Sequence, residues 1–229
     1  MHPPPWPADR PGQPPRFPTG GPPDLSDLAE ARLAIVGNAP DLRDHSAAID
    51  AAERVVRFNN AVGFQGQTGS RLDWLALVNR GGQMREWLDD PAFPDRPAIR
   101  SARAFLFPFP ALPPERAGTG DGACWTREAR ARLAPLGAAI HVLTDEHHAE
   151  GARTLAADAE GPPNPSTGFL VALAILGRRH AQAPPVDVYG FGFSGWPGHP
   201  WEAERRWFVA QEQANRLRLH RPEHPPGEA

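Results

Sequence analysis

The stretch that decides the fold runs from residue 33 to residue 60 and reads LAIVGNAPDLRDHSAAIDAAERVVRFNN. It contains two short strand-like segments, the apolar Leu33–Val36 and the valine-containing Arg54–Phe58, and between them Leu42, Ile49 and several alanines recur at helical spacing. Short apolar runs are typical of buried strands, whereas a longer periodic segment is typical of a helix. The stretch therefore predicts a strand, a helix over residues 41–53 and a second strand.

The same alternation continues along the chain. Further strands are predicted at residues 72–78, 104–107, 140–143 and 186–189, and further helices at 125–136, 167–180 and 201–217. Strands that alternate with helices predict a single Rossmann-like α/β domain with a mostly parallel, twisted sheet flanked by helices. Because ligands of such sheets bind beyond the carboxyl ends of the strands, we look for the functional residues there.

The folded domain is predicted to span residues 24–219 of the 229-residue chain. Residues 1–23 are rich in proline, which lacks an amide donor and has a fixed φ, so we expect a disordered arm there. Residues 220–229 are predicted to form a shorter disordered tail. No apolar run resembles a signal peptide or a transmembrane span.

Composition argues against several classes of function. The net charge of −3 provides no general attraction to nucleic acid. Cys124 is the single cysteine, so an intramolecular disulfide and a thiolate-rich metal site are both excluded. We expect a cytoplasmic location, either free or peripherally bound at the inner membrane. We predict no metal site. All 24 basic residues are arginine, which weakens any inference from a single arginine to phosphate binding.

Two polar strand ends form the first part of the candidate site. Gly37 and Asn38 follow the first strand, and Asn59 follows the second. Glycine lets a ligand approach the backbone closely, and two amide side chains on neighbouring strands can hold a phosphate or a ribose without adding charge. Taken singly, each segment is more typical of an ordinary polar turn, with Asn38 as a helix cap.

A third polar segment precedes an apolar helix. Ser166, Thr167 and Gly168 lead into the predicted helix 167–180, and either Ser166 or Asn164 can cap it. The unpaired amides of a first helical turn form an anion site. The alternative is an ordinary N-cap with no ligand.

Taken together, these segments resemble the sialyltransferases of glycosyltransferase family 29. Three motifs carry the resemblance, in the family's order: LAIVGNAPDL…IDAAERVVRFNNAVGFQGQTGSRLDW for the long motif, NPSTGFLVALAIL…VDVYGFGF for the short motif and GHPWEAE for the very short motif. The resemblance covers roughly residues 33–219 and is weak between residues 83 and 163. It implies a variant of the glycosyltransferase A fold.

The resemblance also implies roles for individual residues. Asn38 and Asn59 correspond to asparagines that contact the phosphate and ribose of the nucleotide, and Ser166–Gly168 correspond to the loop that holds the donor. His199 corresponds to the catalytic base, and Glu204 is the acidic residue of the same motif. His199 resembles the histidine of a nearby H-Y-x-E-like motif as well, so whether one histidine serves both motifs stays open.

The activity implied by the resemblance is inverting, metal-independent glycosyl transfer. A hydroxyl of a bacterial surface glycan precursor would attack an acidic sugar, sialic acid or Kdo, carried on CMP, and no cofactor other than this donor is implied. His199 must be neutral to act as a base, and Glu204 can orient it only if His199 lies in a loop. Two alternatives are a non-catalytic nucleotide-binding protein of the same fold and a CMP-sugar hydrolase.

Several features depart from the family or mimic other sites. The cysteines that join the long and short motifs in vertebrate members are absent, which argues against a Golgi location. Residues 190–195 match G-x-G-x-x-G, but no helix follows at once, so a dinucleotide site is rejected. Residues 145–148, Asp-Glu-His-His, are interpreted as a polar helix start rather than a metal site.

Arg57 or Arg71 is a candidate partner for the carboxylate of the donor sugar.

Overall fold

The computed structural model describes residues 24–40, 42–119, 122–158 and 162–221. The predicted proline-rich arm at residues 1–23 and most of the predicted tail, residues 222–229, lie outside the described residues. The last strand reaches His220, the first residue of that predicted tail.

The described chain alternates short strands with helices. The strands are β1 Leu33–Val36, β2 Arg54–Phe58, β3 Trp74–Ala76, β4 Ala104–Phe107, β5 Ala139–Val142, β6 Val186–Tyr189 and β7 Leu217–His220. The α-helices are α1 Ser46–Asp50, α2 Gly81–Asp89, α3 Pro97–Ser101, α4 Thr126–Leu133, α5 Asp145–Ala156, α6 Thr167–Leu176 and α7 Trp201–Gln213. Turns of 3-10 helix occupy Leu25–Leu28, Phe93–Asp95, Pro114–Arg116 and Ala134–Leu136.

The strands form one seven-stranded sheet in the order β5-β4-β3-β2-β1-β6-β7. All six pairings among the described strands are parallel, and the central register sets Val36 opposite Arg57 on one side and Tyr189 on the other. This confirms the predicted single Rossmann-like α/β domain with helices flanking a mostly parallel sheet. The chain runs outward from β1 to β5 and then returns to the other side of β1, so the strand order reverses between β1 and β6.

Alternation along the strands builds a core on both faces of the sheet. On one face, Ile35, Val56 and Val188 pack with the apolar helix α6, whose residues from Phe169 to Leu176 are all buried. On the other face, Leu75 and Phe105 belong to a cluster with residues of α2 and α4. Because both faces are covered, β1, β3 and β4 are apolar along their whole length, whereas the edge strand β7 alternates between apolar and polar residues.

Several predicted elements differ in extent from the structure, and one strand was not predicted. The predicted helix 41–53 is only α1, Ser46–Asp50. The predicted helix 201–217 ends at Gln213 because Asn215 has a positive φ of 55°, a left-handed conformation that stops a helix. The four residues of β7 then pair with β6, and this strand was missing from the sequence-based prediction.

None of the helices in the described ranges is both long and apolar enough to cross a bilayer.

Candidate functional site

A cavity opens at the carboxyl edge of the sheet, where the strand order reverses. Its volume is about 470 Å³. The segments that follow β1, β2, β3 and β6 line it together with the start of α6 and the loop before α7. All eight residues predicted for the site line this cavity: Gly37, Asn38, Asn59, Ser166, Thr167, Gly168, His199 and Glu204.

The two asparagines hold the strand ends in place. Asn38 Nδ2 donates to the carbonyl of Phe58 at 3.1 Å, and Asn38 Oδ1 accepts from the amide of Val62 at 3.0 Å. Asn59 Oδ1 accepts from the amide of Val78 at 3.0 Å, so each side chain links two neighbouring strand ends. Asn59 itself adopts a positive φ of 48°, which asparagine tolerates better than most residues.

Gly37 is required by the close approach of two backbone segments. Its amide donates to the carbonyl of Tyr189 at 2.7 Å, and a Cβ at this position would lie 2.3 Å from the carbonyl oxygen of Gly190. Gly190 has a φ of 68° and turns the chain away from β6 at this point. The backbone segments after β1 and β6 therefore meet directly beside the cavity, which both glycines line.

The N-terminus of α6 faces the cavity. Ser166 is its N-cap, since Ser166 Oγ accepts from the amide of Phe169 at 3.2 Å. The sequence left Asn164 open as an alternative cap, and the structure assigns the role to Ser166. Thr167 and Gly168 occupy the first two helical positions, where backbone amides have no intrahelical acceptor, and both line the cavity.

Glu204 lies buried behind this helix start, with 1% of its surface exposed. Oε1 accepts from the amide of Ser166 and Oε2 from Ser166 Oγ, each at 2.7 Å. Burial raises the pKa of Glu204 to about 7, although both hydrogen bonds from Ser166 act in the opposite direction. Its carboxylate thus ties α7 to the start of α6, and it does not orient His199 as the sequence suggested.

His199 lies in the loop before α7, with Pro200 as the N-cap of that helix. Its Nδ1 is 2.8 Å from the carbonyl of Asn164, so Nδ1 carries the proton and a neutral ring leaves Nε2 as an acceptor. Trp196 and Trp201 stand edge-on to the ring, each with a centroid separation of 5.0 Å. Burial lowers the pKa of His199, and the hydrogen bond to Asn164 partly offsets this effect.

The charges around the cavity are few. Among the described residues that line it, only His199 and Glu204 are ionisable, and none is an arginine. Arg57 is fully buried and donates to Thr68 and to the carbonyls of Gly69 and Arg71. Arg71 forms an ion pair with Asp73 at 3.2 Å. The suggestion that Arg57 or Arg71 meets a ligand carboxylate in this site was therefore wrong, because both guanidinium groups bind the protein itself.

Sequence reasoning missed part of the wall. Phe191, Phe193 and Ser194 line the cavity from the glycine-rich segment after β6, and Gln83 lines it from α2. The first three could have been found from their position directly after a predicted strand. Gln83 had no signal, because the helix that carries it was not predicted.

Two further motifs were rejected as ligand sites in the sequence: the G-x-G-x-x-G segment at residues 190–195 and the Asp-Glu-His-His run at residues 145–148. No helix follows Gly190 until Trp201, so a dinucleotide fingerprint is absent from this part of the described chain. Asp145 begins α5, and His147 bonds Thr144 Oγ1 at 2.8 Å and Arg178 at 3.0 Å.

The fold and the cavity define the class of this protein, a Rossmann-like α/β protein with a sialyltransferase-like fold. A mammalian sialyltransferase matches with a TM-score of 0.50 and 18% identity, over 82% of this chain and 68% of that chain. A mammalian sialyltransferase in complex with Gal-beta-1-3GalNAc-ortho-nitrophenol gives a TM-score of 0.49 and 19% identity, over 88% of this chain and 74% of that one. The first of these likenesses concerns the fold alone. No family model matches the chain.

The sequence relative identifies the family. The chain is 32% identical over 201 residues to the urease operon 23 kDa accessory protein of Rhizobium meliloti (strain 1021), a match that covers 83% of this chain and 93% of the relative. The chain belongs to the family of this accessory protein. This finding overturns the prediction of a glycosyltransferase that acts on a CMP-sugar, since motifs that maintain a shared fold do not by themselves carry its activity.

Proposed function

We propose that this protein is a non-catalytic accessory protein that binds a nucleoside monophosphate of the CMP type in the central cavity. One observation carries the proposal: the free first-turn amides of Thr167 and Gly168 open onto a cavity of about 470 Å³ at the point where the strand order reverses. Ligands of open α/β sheets bind at such points, and the volume lies in the range of small-molecule sites.

The charges of the cavity favour a single phosphate. The lining residues include no arginine, so the amides of Thr167 and Gly168 and the positive end of α6 are the groups that would meet an anion. One phosphate needs less neutralisation than a diphosphate. The amide groups of Asn59 and Gln83 and the aromatic rings of Phe58 and Phe191 supply polar and apolar surface for the nucleoside.

The accessory role rests on the relative. That protein is described as a urease operon accessory protein, and we propose that the present chain likewise serves urease, with its nucleotide as a regulatory or structural ligand rather than a substrate. The geometry of Glu204 is compatible with this role, because both of its oxygens are engaged by Ser166 in holding two helices together. A cytoplasmic location is part of the proposal.

Calorimetric titration with CMP tests the ligand. We expect CMP to bind at least tenfold more tightly than cytidine, and Thr167→Asp to abolish this advantage. Aspartate at the first turn of a helix suits the helix dipole, so this variant is expected to fold while its carboxylate repels the phosphate. Gln182→Glu, which adds the same charge at an exposed position of the described chain, is the control and should bind CMP like the wild type.

Two outcomes would count against the proposal. Equal affinities for CMP and cytidine would remove the phosphate site. Release of CMP from CMP-sialic acid without an acceptor would point to the hydrolase alternative instead of a binding protein. For the accessory role, we expect deletion of the Rhizobium meliloti relative to lower urease activity and the present chain to restore it, whereas unchanged urease activity in the deletion strain would exclude that role.

A further inference from the structure

A second pocket adjoins the central cavity and shares one lining residue, Asn59, with the proposed nucleotide site. This side pocket, of about 320 Å³, lies between residues 59–65, which follow β2, and a wall formed by Phe93 and residues 96–99. Asn59 lines both the side pocket and the central cavity, so the two spaces meet at this residue.

The backbone around the side pocket is strained. Among the described residues, five that are not glycine have a positive φ, and three of them line this pocket: Asn59 at 48°, Ala61 at 47° and Gln65 at 65°. An alanine in this conformation costs energy, because its Cβ crowds the following carbonyl. Such strain persists only where the surroundings impose it, and it clusters at ligand-binding segments.

Buried Arg57 imposes the shape of this segment. Its guanidinium donates to Thr68 Oγ1 at 2.8 Å and to the carbonyl of Gly69 at 3.2 Å, and it lies 5.1 Å from the ring centre of Phe64. Arg57 therefore stabilises the strained segment 59–65 from the side opposite the pocket, which it does not line. A preformed pocket costs its ligand less ordering than a mobile loop would.

The chemistry of the wall is apolar with one cation. Phe93, Ala98 and Ile99 are buried and form the apolar side. The cation is Arg96, which bonds Asp90 at 2.8 Å through Nη2, whereas Nη1 reaches Asn60 Oδ1 only at 3.5 Å. That second contact is at the limit of a hydrogen bond, so the Nη1 edge of the guanidinium can exchange it for a stronger acceptor.

We infer that the side pocket binds a small organic acid with an aromatic or branched aliphatic body. Its carboxylate meets Arg96 at the Nη1 edge, and its body packs against Val62 and Pro97, which are exposed apolar residues of this pocket. A carboxylate is favoured because a charged acceptor forms roughly twice as strong a hydrogen bond to a guanidinium as the neutral amide of Asn60 does.

The test compares an acid with its neutral amide on the full chain. We expect phenylacetate to bind at least tenfold more tightly than phenylacetamide in calorimetric or NMR titrations. Arg96→Gln should lower phenylacetate affinity at least tenfold and leave phenylacetamide unchanged. Arg100→Gln, one turn further on α3 and paired only with Asp95 at 3.6 Å, is the matched control and should behave like the wild type.

A variant that binds phenylacetate more tightly distinguishes loss of the site from misfolding, because a misfolded protein would not gain affinity. Asp90→Asn removes the competing carboxylate from Arg96, so phenylacetate should bind more tightly to this variant than to the wild type. Equal binding of the acid and the amide, or no binding of phenylacetate and 3-methylbutanoate to both the wild type and Asp90→Asn, would overturn the inference. CMP titrations of the same variants should be unchanged, which separates failure here from failure of the nucleotide site.

Discussion

Ser166 and Glu204 are joined by two hydrogen bonds of 2.7 Å across 38 residues of chain. One bond comes from the backbone amide of Ser166 and the other from its hydroxyl group, and the same hydroxyl accepts from the amide of Phe169 to cap α6. A buried carboxylate therefore fixes the start of the helix whose first amides face the cavity. The position of the proposed anion site depends on this pair.

Glu204→Gln should change how stability depends on pH. Burial raises the pKa of Glu204 from its usual 4.5 to about 7, so the folded state binds the proton more tightly than the unfolded state does. The stabilisation that this tighter proton binding gives the folded state is fully present below pH 4.5. It is lost as the pH rises towards 7, which lowers the unfolding free energy by roughly 3 kcal/mol. Urea unfolding at a series of pH values should show the unfolding free energy of Glu204→Gln rising, relative to that of the wild type, by that amount as the pH increases.

Glu202→Gln is the matched control for this experiment. Glu202 is exposed on the same helix, and its hydrogen bonds to Arg205 lower its pKa. A lowered pKa gives the opposite sign, so this variant should lose slightly against the wild type as the pH rises. Parallel curves for the wild type and Glu204→Gln would show that Glu204 is not buried as described.

The imidazole of His199 should titrate below pH 6.5. Burial lowers its pKa, and part of that burial comes from Trp196, whose ring stands edge-on at 5.0 Å. NMR titration of the histidine ring signals, with His199→Gln to assign the resonance, should show this low pKa. Trp196→Ala should move it back towards 6.5, and a wild-type value at or above 6.5 would contradict the geometry.

Gly37→Ala should destabilise the protein. The added methyl group would lie 2.3 Å from the carbonyl oxygen of Gly190 and 3.0 Å from the Phe191 ring, so β1 and the segment after β6 must move apart. We expect a loss of about 1–3 kcal/mol in unfolding free energy, typical of overpacking. Gly122→Ala is the control, since nothing lies within 4 Å of its added Cβ. Equal stability of the two variants would argue against the tight contact.

Arg57→Leu should be more damaging than Arg54→Leu, although both lie on β2. Arg57 is fully buried and donates to Thr68 and to the carbonyls of Gly69 and Arg71, whereas Arg54 donates only to the carbonyl of Glu53. Arg57→Leu leaves the carbonyls of Thr68 and Arg71 without this donor, which should cost about 3 kcal/mol or more in unfolding free energy. Thermal or urea unfolding of both variants measures the difference, and comparable losses would contradict the described role of Arg57.

Local patterns predicted most of the sheet. Four-residue apolar runs such as Leu33–Val36 and Ala104–Phe107 are strands in the structure because both of their faces are covered. Segments with weaker patterns were not recovered. α2, α3 and β7 were missed, and the end of α7 was set by the left-handed Asn215 rather than by any change in hydrophobic periodicity.

The residues predicted for the site line one cavity, but their contacts were not predicted. Gly37, Asn59 and Ser166 stand at strand or helix ends, so their presence near the cavity follows from the fold class. Their partners do not follow from spacing. The sequence allowed Glu204 to orient His199 if that histidine lay in a loop, whereas the structure pairs Glu204 with Ser166 and places the imidazole against the carbonyl of Asn164.

The sequence by itself determined the alternation of strands and helices and the polar residues at the strand ends, because hydrophobic periodicity and turn chemistry act over a few neighbouring residues. Only the tertiary structure decided which distant groups meet: Glu204 with Ser166, and Arg57 with the carbonyls of a strained loop. The physical reason is burial. Once a carboxylate or a guanidinium leaves water, it must take whatever partners the packed chain brings within hydrogen-bond distance.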